Sequence, residues 1–202
     1  MAVKNHSLDD KIIRSATTEF LKFGFSKASL HKIAENAGIT TGALYTRYKN
    51  KDALFCSLIK DVLSTFRANS ASVSTLYYEA QTSKDPEKFI TAIRTEEKIY
   101  LDLLFEHYEA CVLFFCRNTG SSVEHMLNQM LETKAQESIA FLKNLSGKDI
   151  NLDGIDLILT EQFHFYRKIL EKGYTKEQAV SCMNNLDAFI EAGWKDLFQR
   201  IL

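Results

Sequence analysis

The sequence predicts an all-α protein of about nine helices, and three observations lead to this fold class. Only one proline and eight glycines occur among the 202 residues, far fewer than the turns of a β-sandwich or barrel require. Apolar residues recur at helical spacing along most of the chain. Residue types that begin and end helices separate these segments, and no segment has the strict alternation of a strand.

Composition indicates a folded protein without a membrane span. Apolar residues make up 46% of the chain, which is enough material for a buried core. The longest uninterrupted apolar stretch runs only from Ala110 to Cys116, whereas a membrane span needs about 18 residues. The first residues contain no apolar signal core, so we expect a cytoplasmic protein. The cysteines form no C-x-x-C pair and are interpreted as small core residues.

Charge is unevenly distributed, although the net charge is only −1. Residues 1–55 contain nine Lys or Arg and five Asp or Glu, so this segment carries +4. Residues 56–202 contain 16 basic and 21 acidic residues and carry −5. A basic N-terminal quarter on an acidic body favours contact between that quarter and a polyanion.

The N-terminal quarter is predicted to form a helix that ends at Gly24, followed by two short helices over about residues 29–36 and 40–47. Gly38 lies between the short helices, where a left-handed residue turns the chain sharply. Asn50 is expected to cap a fourth helix that continues to about Ser70. Residues 69–84 show no clear periodicity and are predicted to be a fraying helix end and a loop.

Start and stop signals predict the remaining helices. Pro86 occupies the first turn of a helix, or of a broken pair of helices, that reaches about residue 116. Later helices are expected to end near Gly147, near Gly173 and at the end of the chain. Two of them begin with capping boxes, which are Ser121 with Glu124 and Thr175 with Gln178.

The two short helices have the spacing of a helix-turn-helix. The second begins with small side chains from Thr40 to Ala43, which let a helix sit deep in a DNA major groove. Hydroxyl groups and free N–H groups there can reach phosphates or base edges. Tyr45 lies one turn further, beside Thr46 and Arg47. The next helix opens with two lysines, which suit a backbone phosphate.

A set of residues between Gly24 and Leu54 has the fixed spacing of a known family. The set consists of Gly24, Phe25, Ser29, Ile33, Ala34, Ala37, Gly38, Ile39, Thr40, Gly42, Leu44, Tyr45, Tyr48, Asn50, Lys51 and Leu54. Through these positions the sequence resembles the TetR family of bacterial transcriptional regulators. The match covers about residues 7–55, and the remaining 147 residues resemble the family only in helical character and length.

The resemblance implies DNA contacts, and the position of Thr46 and Arg47 beside Tyr45 adds two more. The predicted contact residues are Ser29, His31, Thr40, Thr41, Gly42, Tyr45, Thr46, Arg47 and Lys51. Ala28 stands where relatives have a hydroxyl cap, so we expect a loss of about 1 kcal/mol there unless Ser26 compensates. Arg47 replaces a frequent histidine, and arginine can bind a phosphate or pair with guanine.

The resemblance also implies an organisation and a function. Residues 1–50 are expected to form the DNA-binding domain, and residues 51–202 an effector-binding and dimerisation domain. The predicted protein is a homodimeric repressor that binds double-stranded DNA at a palindromic operator and is released by a small-molecule effector. No enzymatic activity and no cofactor are expected.

An apolar pocket with interspersed polar groups is predicted to bind the effector. Its candidate residues are Tyr100, Leu104, His107, Tyr108, Cys111 and Gln129. Two apolar stripes on the last helices are predicted to meet their two-fold mates in a four-helix interface. The candidate interface residues are Phe163, Tyr166, Leu186, Ile190, Trp194 and Leu197.

Two alternatives from other classes remain open at this point. One is a helical small-molecule carrier or enzyme that merely retains the helix-turn-helix. The other is a metal-responsive regulator, because His107 and Cys111 are four residues apart on one predicted helix.

Overall fold

A computed structural model describes residues 6–147 and 150–201. Within these ranges the chain forms ten α-helices and no β-strand, which confirms the all-α fold class. The helices are α1 (His6–Lys27), α2 (Leu30–Ala37), α3 (Thr41–Arg47), α4 (Lys51–Leu58), α5 (Lys60–Ser83), α6 (Pro86–Glu106), α7 (Tyr108–Cys116), α8 (Ser122–Ser146), α9 (Ile155–Glu171) and α10 (Lys176–Ile201). None of the described helices is both long enough and apolar enough to cross a membrane.

The described residues divide into two compact units. The N-terminal unit comprises the chain up to Leu63 together with His107–Leu127. The C-terminal unit comprises Ser64–Glu106 and the described residues from Asn128 onward. The sequence predicts a division at residue 50, and no local pattern indicates that α7 belongs with α1 to α4.

Phenylalanine rings form the centre of the N-terminal unit. The centroids of Phe20 and Phe55 are 5.0 Å apart, and those of Phe25 and Phe55 are 5.2 Å apart, both pairs edge to face. Ile33 on α2 and Leu44 on α3 are also buried. The first four helices therefore share one core, and Leu44 anchors α3 to it.

Phe89 of α6 lies at the centre of the C-terminal unit. Its ring stacks on Phe141 of α8 with centroids 4.8 Å apart. The rings of Trp194 and Phe198 on α10 meet it edge to face, at 5.0 and 5.4 Å. This cluster joins α6, α8 and α10 in one core.

Several predicted helix signals form the expected hydrogen bonds. The capping box at the start of α10 is reciprocal, since Thr175 N donates to Gln178 Oε1 at 2.9 Å and Gln178 N donates to Thr175 Oγ1 at 3.3 Å. Gly38 has φ 72° and donates its N–H to Glu35 O at 3.0 Å. This left-handed residue produces the turn between α2 and α3.

Two predicted boundaries are wrong. The helix expected from residue 51 to about 70 is interrupted at Ile59, where φ is −109° and ψ is 4°, so α4 and α5 are separate. Residues 69–84, predicted to be a fraying helix end and a loop, are helical as far as Ser83. Burial of Val73 and Ala80 explains this helix, because packing outweighs the weak propensity of its many Ser and Thr residues.

Candidate nucleic-acid interface and interior ligand site

Ser29 begins α2 and supplies the cap that the sequence placed one residue earlier. Its Oγ accepts the N–H of Lys32 at 3.4 Å. The Ser29 N–H donates to the Glu19 carboxylate at 2.9 Å, which fixes the start of α2 on α1. The expected loss of a cap at Ala28 is therefore wrong, because Ala28 is a buried core residue next to the real cap.

The N-terminal turn of α3 is held by Thr40 and leaves its outer face open. Thr40 Oγ1 accepts the N–H of Ala43 at 3.1 Å, and Thr46 Oγ1 donates to Gly42 O at 3.0 Å. The nearest atom to a Cβ built on Gly42 is that same Thr40 oxygen, at 3.8 Å. Tyr45 is 51% exposed, so it is a surface residue and does not pack in the core.

Nine residues were predicted to contact DNA, and all of them lie on α2, α3 or α4 or beside their ends. The exposed ones are His31, Thr40, Gly42, Tyr45, Thr46 and Arg47. The half-buried ones are Ser29, Thr41 and Lys51. Of the exposed residues, only His31 lies on α2, and the others lie on α3 or at its N-cap.

Arg47 is already engaged within the protein. Its Nε donates to Asp9 Oδ1 at 3.2 Å, and its Nη1 reaches Ala43 O at 3.5 Å. Asp9 is on α1, so the ion pair joins the C-terminus of α3 to α1. A phosphate or base would have to compete with Asp9 for this guanidinium.

Lys51 points toward α1. Its Nζ donates to Ser26 O at 3.1 Å and lies 4.9 Å from the centroid of the Phe25 ring. Burial lowers the pKa of Lys51. The side chain therefore attaches the start of α4 to the end of α1, a role that spacing alone did not predict.

Asp52 makes a long-range contact that no local sequence pattern predicts. Its Oδ1 accepts the N–H of Ser122 at 2.8 Å, and its Oδ2 accepts the hydroxyl of Ser122 at 2.6 Å. Nearby, Phe25 N donates to Arg117 O at 2.8 Å. These bonds attach both ends of the turn between α7 and α8 to α1 and α4, and they join residues that are far apart in the sequence.

The predicted ligand-pocket residues are divided between the two units. Tyr100 and Leu104 are buried in the C-terminal unit. His107, at the start of α7, and Cys111 belong to the N-terminal unit, where burial raises the pKa of Cys111 to about 12. Tyr108 also belongs to the N-terminal unit.

Gln129 is exposed on α8 in the C-terminal unit. Neither it nor the other five predicted pocket residues line the cavities described below. The periodicity of aromatic residues does not show which faces of these helices surround a cavity.

A polar cluster lies inside the C-terminal unit. Glu96 of α6 is only 8% exposed, and its Oε2 accepts the hydroxyl of Tyr77 at 2.7 Å. The ammonium of Lys134, on α8, contacts the other oxygen of Glu96. The same ammonium lies 5.4 Å from the centroid of the Tyr100 ring and 4.9 Å from that of Phe163. We call these five residues the Glu96 cluster.

The ionisation of Lys134 is subject to two opposing influences. Burial lowers the pKa of Lys134 to about 7, because an ammonium group loses hydration in the interior. The nearby negative charge of Glu137 acts in the opposite direction and raises the pKa of Lys134.

The Glu96 cluster borders an internal cavity of about 30 Å³ and an adjoining groove of about 410 Å³ along α5 and α8. The residues common to both are Tyr77, Phe89, Lys134 and Ser138. The groove continues outward past Tyr78, Gln81 and Asn144. Lys134 thus lies where the outer groove meets the interior.

A third cavity, of about 520 Å³, lies between α6 and α10. Glu97 and Asp187 line it together with Arg94. Burial, and then the neighbouring Asp187 carboxylate, raises the pKa of Glu97 to about 9. Within the described part of the chain, His, Cys, Asp and Glu side chains form no group of three or more with the geometry of a metal site.

The predicted dimer residues are mostly covered within one copy of the chain. Tyr166 and Trp194 are buried within one copy of the chain, and Trp194 packs in the cluster around Phe89. The half-buried members are Phe163, Leu186, Ile190 and Leu197. The strongly exposed apolar side chains on α9 and α10 are Leu157, Ile158 and Phe189, and Phe189 is 80% exposed.

Comparison with known proteins agrees with this architecture. Residues 12–58 match the family model of bacterial regulatory proteins, tetR family. The whole chain is similar to a TetR-like transcriptional regulator from Rhodococcus sp. RHA1, with a TM-score of 0.58 and 15% identity over 95% of this chain and 100% of that one.

Two further solved structures share the fold. One is the transcriptional regulator FadR from Bacillus subtilis in complex with stearoyl-CoA, with a TM-score of 0.51 and 18% identity over 92% of this chain and 98% of that one. The other is the fatty acid degradation regulator FadR from Bacillus halodurans, with a TM-score of 0.50 and 16% identity over 100% of this chain and 97% of that one.

Proposed function

We propose that this chain is a transcriptional repressor of the tetR family of bacterial regulatory proteins, and that a small-molecule effector releases it from DNA. The match of residues 12–58 to the family model supports this proposal. Residues 1–50 are proposed as its DNA-binding domain, and residues 51–202 as its effector-binding and dimerisation domain. Both roles consist of binding and require no reaction on a substrate.

One observation carries the proposal, namely the exposed face of α3. Buried Leu44 attaches this short helix to the core of the N-terminal unit, while Tyr45 and Thr46 are exposed. Gly42 adds no side chain at the first turn. A helix presented in this way can enter a major groove and place side chains against base edges.

A symmetric dimer is proposed to present two such helices to one duplex. The recognition helices of a helix-turn-helix dimer are separated by about 34–36 Å, so the operator should be nearly palindromic. The exposed Phe189, Leu157 and Ile158 support an interface on α9 and α10, since isolated apolar side chains of this size gain stability from burial.

The Glu96 cluster is proposed as the effector site. A buried carboxylate paired with a half-buried lysine, beside a cavity and an open groove, provides both orientation and apolar contact for a small molecule. The similar structure of Bacillus subtilis FadR contains stearoyl-CoA, which supports a search for a ligand in this chain. An effector that favours the DNA-free form weakens operator binding, and operator DNA weakens effector binding by the same factor.

The proposal is tested by a gel shift with the DNA upstream of the protein's own gene. The intact protein should retard this fragment at low ionic strength, and Tyr45→Ala should weaken binding at least about tenfold. Tyr78→Ala is the matched control, because Tyr78 is 67% exposed but lies on α5 in the C-terminal unit. Equal binding by the two variants would contradict the assignment of α3 as the reading helix.

A further inference from the structure

We propose that Glu96 and the aromatic rings around it form a receptor for an organic cation, and that the ammonium of Lys134 occupies this receptor when no ligand is bound. The inference rests on the proposed function, because it names the chemical class of the effector. It depends on the geometry of one buried carboxylate, the rings beside it and the groove that leads to it.

The Glu96 carboxylate is a fixed element of the receptor. Tyr77 donates to it at 2.7 Å, and the residue as a whole is only 8% exposed. A carboxylate in such a position is costly unless a cation or a set of donors accompanies it. A positive charge beside Glu96, from the protein or from a ligand, therefore offsets the cost of burying this carboxylate.

The aromatic rings supply the second element. Tyr100 and Phe163 turn toward the Lys134 ammonium, at 5.4 and 4.9 Å from their centroids. Tyr166 packs edge to face on Tyr100, with centroids 6.0 Å apart, and extends the aromatic wall. Ring faces attract ammonium and quaternary ammonium groups alike, so the site does not depend on the identity of its cation.

Lys134 is the partner that can leave. Its ammonium is on a flexible four-carbon stem, whereas Glu96 is fixed by Tyr77. Burial lowers the pKa of Lys134 to about 7, which disfavours the charged lysine relative to a cation that cannot lose a proton. Glu137, one helical turn further along α8, provides an alternative partner for the displaced ammonium.

The cavities provide a path and a volume. Lys134 lines both the internal cavity and the outer groove, so its departure from Glu96 joins the two spaces. The groove of about 410 Å³ is bordered by Tyr77, Tyr78 and Phe141, which suit an aromatic or aliphatic body. A cation with an apolar substituent would place its charge at Glu96 and its body in the groove.

An anionic ligand is disfavoured by the same residues. It would approach the Glu96 carboxylate and Glu137, and would meet aromatic faces, whose electrostatic potential is negative. An anion could pair with Lys134 only by displacing Glu96, which would leave a buried carboxylate without a counter-ion. Binding of an anion is therefore an outcome that would overturn the proposal.

The receptor can be tested by fluorescence, because Trp194 is the only tryptophan in the chain and lines the internal cavity. Purified protein is titrated with benzyltrimethylammonium, with its uncharged isostere neopentylbenzene, and with the anion phenylacetate. We expect the cation to bind at least about tenfold more tightly than the isostere, and phenylacetate to bind more weakly than the cation.

Variants identify the groups involved. Glu96→Gln should weaken cation binding at least about tenfold, and Lys134→Met should strengthen it, because the internal competitor is removed. Matched controls are Glu132→Gln and Lys98→Met, which change residues of the same types on α8 and α6 outside the Glu96 cluster and should leave the affinity unchanged. If Lys134→Met does not fold, the wild-type melting temperature should still rise with the cation and remain unchanged with the isostere.

The outcomes separate this inference from the proposed function. Equal affinity for cation and isostere, or preference for phenylacetate, overturns the receptor, even if the gel shift still shows operator binding. Cation selectivity that depends on Glu96 supports the receptor, even if no DNA fragment is retarded, and in that case only the proposed function fails.

Discussion

Arg47 is a proposed DNA contact that already has a partner within the N-terminal unit. Its ion pair with Asp9, at 3.2 Å, holds the guanidinium beside α3. The same carboxylate would also compete with a phosphate, because both bind the N–H donors of the Arg47 guanidinium. The net effect of Asp9 on DNA binding can therefore be measured by removing each partner separately.

We expect Arg47→Ala to weaken operator binding by about tenfold and to reduce the salt slope by about one, because one phosphate contact is lost. Asp9→Asn should have the opposite effect and strengthen operator binding, because it removes the competing carboxylate and one negative charge from the proposed interface. Gel shifts at matched salt measure both effects. Arg200→Ala is the control, because Arg200 pairs with Asp196 on α10, far along the chain from α3. Unchanged binding in both test variants would remove Arg47 from the interface.

Lys134 should make cation affinity depend on pH. As pH rises through about 7, Lys134 loses its proton and no longer competes with a quaternary ammonium, so affinity increases between about pH 6 and 8. The titratable groups near the Lys134 ammonium are the carboxyls of Glu96 and Glu137 and the hydroxyls of Tyr77 and Tyr166. Burial raises the pKa values of the two tyrosines. The fluorescence titration with benzyltrimethylammonium measures this change. If the cation affinity of Lys134→Met rises equally over the same pH range, a group other than Lys134 is responsible for the change.

Sequence spacing could place Thr40 at the start of α3 and Tyr45 one turn further along it, because the helix-turn-helix is a local pattern. It could not identify the pairing of Asp52 with Ser122, which are 70 residues apart in the chain. It likewise singled out Tyr100 but not Glu96 or Lys134, because two ordinary charged residues on separate helices carry no signal until the fold brings them together.

At the scale of helices, the sequence was accurate where a cap or a glycine marks a boundary. Thr175, Gly38 and Asn50 each act as predicted at a helix terminus. Ile59 was missed because the apolar stripe of α4 and α5 continues through it, and periodicity does not register a single residue with ψ near 0°. Such a break depends on how the two helices pack, and local residue types do not encode it.

The carboxyl pair between α6 and α10 makes a prediction about these two helices. The pKa of Glu97 is raised from 4.5 to about 9 by burial and by Asp187. A raised pKa contributes stability that is complete below the unfolded value, near 4.5, and is lost as pH rises toward 9. The free energy of unfolding should therefore fall with rising pH over this window.

Replacing Glu97 with glutamine should reduce that pH dependence, because the amide stays neutral and can still donate to Asp187. We expect Glu97→Gln to be more stable than the wild type at pH 8 by about 1 kcal/mol or more, relative to their difference at pH 5. Urea unfolding at the two pH values measures this. Glu87→Gln is the control on α6, since Glu87 is exposed in the first turn. Parallel pH profiles of stability for Glu97→Gln and wild type would contradict the raised pKa of Glu97.

For the whole molecule, an all-α fold followed from composition and periodicity, whereas the division into units did not. His107–Leu127 joins the N-terminal unit through bonds such as Phe25 N to Arg117 O, which are long-range in sequence. The dimer residues were similarly uncertain, because one apolar stripe can face the core or a partner copy. Trp194 faces the core, and Phe189, five residues earlier on α10, faces outward.

The proposed dimer is tested at Phe189. A charged side chain there should prevent association without disturbing the core, since Phe189 is 80% exposed in one copy of the chain. Light scattering should show a dimer for the wild type and a monomer for Phe189→Asp. Operator binding should weaken together with dimerisation, because two half-sites then bind independent copies. Tyr78→Asp introduces the same charge at a residue that is 67% exposed on α5, and it should remain dimeric. A dimeric Phe189→Asp would place the two-fold interface elsewhere than on this face of α10.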